Sequence, residues 1–299
     1  MSESTVEGMA PLEPSVLEPL DASGRKQWVG RDLLQKKGGL VGLGILVVIV
    51  LFVVVGPMVY HTDQVSTNLT QSNLRPSGAH LLGTDPVGYD VLGRLMYGGR
   101  TSLEVGIGAA ALATLVGATW GLVAGFVGGK VDAVMMRVVD AMLALPGLLV
   151  LIFIAALYPP SVLSIILILA AFAWLLPARL LRGETLTLKV REYVEAARMM
   201  GARRTRVMAR HILPNTTGII VVNVTFAVAD AILALAGLSF LGLGLQAPTT
   251  DWGGMLSDGV SYINAGRWWL IYPAGLAIVL VVVALNLVGE ALREALSGR

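Results

Sequence analysis

Few side chains in this 299-residue sequence are placed to do chemistry, and their spacing excludes most reactions. The absence of cysteine removes disulfides, thiolate metal sites and a cysteine nucleophile. His61, His80 and His211 lie far apart and form no ligand pair, so neither a metal nor another cofactor is expected. The run Ala124 to Val131 ends like a phosphate-binding loop, but it has alanine at the first glycine position and valine where a hydroxyl should meet magnesium. Gly242-x-Gly244-x-x-Ala247 has the spacing of a dinucleotide fingerprint, yet it follows an apolar segment of helical length rather than a strand. Two features remain. Asn223 and Asp230 share one face of an apolar run at helical spacing. A charged stretch, Glu195 to Pro214 (EAARMMGARRTRVMARHILP), interrupts the apolar sequence.

An ionised aspartate at the centre of a spanning helix costs about 2.5–3.5 kcal/mol, so Asp230 is expected to face other helices or a wet cavity. Asn223 and Asp230 therefore either line a solute path or form a buried hydrogen-bonded pair that holds helices together. The charged stretch offers a grip rather than a reaction. Good helix formers flank Ala196 and Ala197, Gly201 supplies a turn that a Cβ would resist, and the sequence predicts two short helices hinged there. Arg203, Arg206 and Arg210 fall at i, i+3 and i+7, leaving Val207, Met208, His211 and Ile212 on other faces. A soluble partner could hold such an element; a solvated basic loop that only sets topology is the plainer reading.

The elements that must position these residues are membrane spans. With 55% hydrophobic and 14% charged residues, and a mean hydropathy of +0.74, the chain reads as an all-α polytopic membrane protein. Its net charge of +2 is too small to imply nucleic acid. We expect a polar tail over 1–37 with no cleavable signal peptide, and a first span over 38–60. An extracytoplasmic segment over 61–100 follows, with Val87 to Tyr97 as a short helix on the membrane surface. A five-helix core over 101–292 carries a charged loop at 182–214, and 293–299 forms a tail.

Within that core, Ala113, Gly117, Gly121 and Gly125 recur every four residues, the signature of a close helix–helix seam in the second helix. Pro146 is expected to bend the third helix, which ends at Leu157, and the fourth runs from Ser161 to Leu181. Asp140 is expected to pair with Arg137 one turn away. The fifth helix spans Asn215 to Leu241, an interfacial or re-entrant loop follows, and the sixth helix spans Trp269 to Gly289. With the N-terminus inside, 18 of the 22 lysines and arginines fall on inner segments and 4 on outer ones. That bias predicts six transmembrane helices with both termini, and the charged loop, in the cytoplasm.

Glu195-Ala196-Ala197, Gly201 after three residues, and His211-Ile212-Leu213-Pro214 after nine more resemble the EAA loop of permease subunits of ATP-binding-cassette (ABC) importers. Two further segments are similar to the dipeptide, oligopeptide and nickel branch of that family. One holds Gly83, Thr84, Asp85, Gly88, Asp90, Arg94, Gly98, Arg100, Ser102 and Leu103, with departures at Tyr89 and Gly93. The other holds Leu238 to Gly244, Pro248, Trp252, Gly253, Met255 and Leu256, with Leu235 where the family often has an acid. The resemblance covers most of the chain from Leu40. It implies a type I ABC importer permease in the bacterial inner membrane, a non-catalytic subunit whose partners hydrolyse ATP. Those partners would be a second homologous permease, two cytoplasmic ATP-binding subunits and an extracytoplasmic solute-binding protein. The ATPase-coupling residues implied are Glu195, Ala196, Ala197 and Gly201, with Arg203, Arg206, His211, Leu213 and Pro214 around them. Di- or oligopeptides are the favoured solute, with nickel or another small solute as the alternative. An autonomous secondary transporter would need paired midplane ionisable groups, and only Asp230 stands deep in a span.

Overall fold

The long apolar runs all become helix. The computed structural model describes residues 36–297; Arg25, Lys26 and Arg31 of the expected N-terminal tail, and Gly298 and Arg299, lie outside the described residues. No strand forms among the described residues beyond one isolated bridge between Thr84 and Asp90. Helix α1 is Lys37–Val54, extended by a turn at Gly56–Val59. Helix α2 is Val91–Val127, and α3 (Gly129–Leu143) and α4 (Gly147–Leu157) follow it. Helices α5 (Val162–Ala173) and α6 (Leu175–Leu188) come next. The charged stretch forms α7 (Glu192–Met199) and α8 (Arg204–Val207), and α9 spans Leu213–Phe240. Two more helices complete the chain, α10 (Trp252–Val260) and α11 (Tyr272–Ser297).

Four helical stretches are long and apolar enough to cross a membrane, and the expected six are reached when each of two bent pairs counts as one span. The break between α3 and α4 is 80°, far sharper than a gentle proline bend, and it falls at Pro146, which has no N–H to continue the ladder. The pair α5 and α6 bends by 43° at Trp174.

Three expectations about helix ends need correction. Val87 to Tyr97 is not a separate surface helix: from Val91 it is the first part of α2, one helix of 37 residues and about 55 Å, longer than the ~30 Å hydrocarbon core. Asp90 starts it, its Oδ1 accepting the Gly93 N–H at 2.9 Å. Arg94, Leu95 and Met96 are buried within the protein rather than laid on a membrane. The charge at Arg182 does not end the fourth span either. Helix α6 runs on to Leu188 because Arg182 makes a two-pronged bond to Asp132 of α3, at 2.5 and 2.7 Å. Helix α11 likewise continues past Gly289, its end tied to the start of α1 by an ion pair between Glu294 and Lys36.

The glycine ladder does what its spacing predicts. A Cβ on Gly117 would lie 2.5 Å from the Trp174 carbonyl oxygen, on Gly121 2.3 Å from that of Ala178, and on Gly125 2.9 Å from that of Arg182. Backbone thus meets backbone along α2 and α6. Asp140 pairs with Arg179 of α6 rather than its own neighbour Arg137, so this ion pair, like that of Asp132, staples α3 to α6.

Helix α9 runs between α2 and α11. On one side of it Val228 and Ile232 join Val53, Leu95, Trp252 and Val281. On another Leu235 and Leu238 pack with Val105, Ile165 and Leu169, so the apolar residue at 235 suits its fully buried site. One end of the bundle, the loop end, carries residues 60–90 and 241–271; the opposite end carries the charged stretch. At the loop end Trp252 is buried, its indole N–H donating to the Leu95 carbonyl at 2.9 Å. Asp251 caps α10 by accepting the Gly253 and Gly254 N–H groups.

Candidate functional site

The charged stretch is anchored on the side that faces α2 and α6 and open on the side away from them. Val194, Val207 and Ile212 are fully buried against Leu122 and Phe126 of α2 and Leu188 of α6, while Ala197 is 5% exposed. These residues fix α7 and the start of α9 on the lower end of α2. Glu192 and Glu195 occupy the first turn of α7 and Arg198 the last, the order that its dipole favours. The Arg198 guanidinium lies 5.1 Å over the Phe126 ring, and Lys189 caps α2 by donating to the Gly125 carbonyl at 2.8 Å.

The turn after α7 is a Schellman motif. The Gly201 N–H donates to the Arg198 carbonyl at 2.9 Å and the Ala202 N–H to that of Ala197 at 3.1 Å. Gly201 sits at φ +80° with open space around it, so backbone conformation, not crowding, requires glycine there. The second half differs from the expected short helix. Arg203 leads into α8, and Met208–Ile212 form one π turn that runs into α9. Pro214 lies in the first turn of α9 and has no N–H, which explains why the ladder widens there. The Asn215 amide covers a loosened carbonyl, donating to His211 O at 2.5 Å. The His211 ring lies 6.3 Å from that of Tyr193, joining the two halves of the element.

What faces outward is equally specific. Glu195, Ala196 and Gly201 are exposed, and Met199 and Met200 are 89% and 82% exposed at the tip. Arg203, Arg204, Arg206 and Arg210 are exposed and form no ion pair among the described residues. By contrast Arg179 and Arg182, one helix away, are held by Asp140 and Asp132. The arrangement is a rigid knob with two soft apolar side chains and a fringe of free cations. Sequence reasoning misses the methionines; their place beside a left-handed glycine at a helix end is the available signal.

Asn223 and Asp230 are not brought together as a hydrogen-bonded pair. Asn223 is half-buried, its Oδ1 has no partner, and it lines an open cavity with Gly218, Phe226 and Arg293. Asp230 is exposed on the open face of α9 and has no partner among the described residues.

At the loop end, the departure at Tyr89 is filled by a different contact. Arg94 lies 4.7 Å over the Tyr89 ring, and the buried Tyr89 hydroxyl donates to Val65 O at 3.0 Å. Asp85 accepts the Tyr89 and Val87 N–H groups at 2.8 and 3.0 Å and faces Arg94 Nε at 3.7 Å. Burial raises the Asp85 carboxyl above the ordinary carboxylate range, and these hydrogen bonds and Arg94 only partly offset it. No group of metal-ligating side chains forms among the described residues.

A helical chain with four to six candidate spans, two of them bent, and a compact charged element at one end has the make-up of a polytopic membrane protein. Residues 117–299 match the family model described as binding-protein-dependent transport system inner membrane component. Residues 26–76 match the N-terminal transmembrane domain of oligopeptide transport permease C. The chain is 41% identical to the dipeptide transport system permease protein DppC of Bacillus subtilis, over 89% of this chain and 83% of the relative. It is 40% identical to the oligopeptide transport system permease protein OppC of the same organism, over 87% and 85% of the two chains. To OppC of Escherichia coli K12 it is 37% identical, over 93% of each. The chain belongs to the inner-membrane permease family of binding-protein-dependent ABC transport systems.

Proposed function

We propose that this permease is one half of the translocation path of an ATP-driven peptide importer, and that α7 with its flanking turns receives the force of ATP hydrolysis from a cytoplasmic partner. The observation that carries the proposal is the contrast within one element. Its inner face is locked to α2 by Val194, Val207 and Ile212, while Met199, Met200 and four unpaired arginines stand free. A rigid lever with an unpartnered tip suits transmission of motion; a loop that only sets topology has no need of buried anchors. The names of the relatives, dipeptide and oligopeptide transport permeases, favour peptides as the solute.

In this reading the charged end is cytoplasmic, in line with the excess of lysine and arginine there. A second, homologous permease covers the open face of α9, two ATP-binding subunits sit beneath the charged end, and a solute-binding protein docks at the loop end. Asn223 and Asp230, both without a partner, line the path between the two permeases. No residue of this chain hydrolyses ATP.

The test is transport by the assembled importer in proteoliposomes. Gly201→Val must force a β-branched residue into left-handed backbone, at about 1–2 kcal/mol or more of local strain, without touching the bundle. We expect the variant to insert and assemble normally while ATP-dependent peptide uptake falls at least tenfold. Uptake at the wild-type rate would remove this element from coupling.

A further inference from the structure

Two grooves meet at the start of α11 and share a wall. The first, about 1100 Å³ of open space, is lined by Asn73, Arg75, Gly266, Arg267 and Trp268 among others, none of them acidic. Neither arginine forms an ion pair among the described residues; Arg267 rests 5.0 Å over the Tyr262 ring. The groove therefore offers two cationic donors and no acid to compete for them. The second groove, about 930 Å³, is almost wholly apolar and lies toward the membrane, lined by Leu82, Ile271, Tyr272 and Leu276. Trp268 lines both.

The boundary between water and hydrocarbon should fall at this shared wall, because Trp268 and Tyr272 are 48% and 63% exposed where the apolar span begins. A ligand that fills both grooves needs an anionic, hydrogen-bonding head and a hydrocarbon tail. We propose that the two grooves together form a binding site for an anionic glycerophospholipid of the loop-end leaflet. Arg75 and Arg267 hold the phosphate, and the first acyl segment lies along Tyr272 and Leu276. The lipid would fasten the Asn73–Arg75 loop to the turn before α11, two segments linked through Thr84: its backbone N–H donates to Leu74 O at 3.0 Å, and its carbonyl accepts from Trp269 Nε1 at 3.4 Å. An acidic side chain of a docked protein could meet the arginines but would leave the apolar groove unfilled, so the lipid accounts for both.

The test uses the full chain in nanodiscs of equimolar phosphatidylglycerol and phosphatidylcholine, ejected for native mass spectrometry. The wild type is expected to retain phosphatidylglycerol in preference to phosphatidylcholine. Two arginines at about 1 kcal/mol each predict that Arg75→Ala/Arg267→Ala weakens that retention on the order of 30-fold. Trp268→Ala should loosen the lipid while leaving the headgroup preference in place. Both arginines are peripheral, and unchanged helix content by circular dichroism confirms that the double variant is folded. Equal retention of the two lipids by the wild type would overturn the proposal. So would undiminished phosphatidylglycerol on the double variant.

Discussion

Asp230 is the residue whose surroundings explain least about it. Its neighbours Val228, Ala229, Ala231 and Ile232 are buried in the core, whereas its own side chain is exposed in a helix that must cross the membrane. A carboxylate facing lipid there would cost about 2.5–3.5 kcal/mol with nothing to offset it. A second permease or a wet path removes that cost. The account therefore predicts that Asp230→Leu leaves insertion and assembly intact, since no contact in this chain is broken, but lowers peptide uptake several-fold. Uptake equal to wild type, measured with radiolabelled dipeptide, would take Asp230 out of the path. Gly201 is the opposite kind of residue, legible from sequence because only one requirement, a left-handed turn after a helix, governs it.

Among elements, the α2–α6 seam sets the rigidity of the bundle. Gly121 meets the Ala178 carbonyl and the Arg182 nitrogen, both backbone atoms that cannot rotate away. Gly121→Ala is thus expected to destabilise the purified protein by about 1–3 kcal/mol, read as a lower thermal midpoint. Gly183→Ala is the control. It lies in α6 with nothing near its Cβ position, and should be neutral or slightly stabilising.

The spacing of four makes this seam legible in the amino-acid sequence, because a repeat along one helix face needs no knowledge of the partner. The partners themselves are not legible there. The sequence pairs Asp140 with a neighbour in its own helix, yet Arg179 lies 39 residues away and only the packing of α3 on α6 brings it close. The expectation for Val87 to Tyr97 fails for a related reason. An amphipathic pattern looks the same whether its polar face meets water or a folded loop, and what buries Arg94 and Leu95 is contributed by Tyr89 and the distant Trp252.

At the scale of the whole molecule, the proposed function makes this chain one half of a translocation path. Its open α9 face and the free tip beside Gly201 are the surfaces that its own packing leaves unanswered. The arrangement of Glu195, Ala196, Ala197 and Gly201 locates the knob in the sequence, but not its apolar tip, since exposure of Met199 and Met200 depends on how the Schellman turn presents them. The sequence has no cysteine, so a single introduced thiol is the only one this chain contributes. The most direct measurement is cross-linking from Met200→Cys in the assembled importer with a short thiol-to-amine reagent. The account predicts a covalent product with an ATP-binding subunit, and none from Asp258→Cys at the loop end. A Met200→Cys thiol that links to no ATP-binding subunit while the importer remains assembled and active would contradict it.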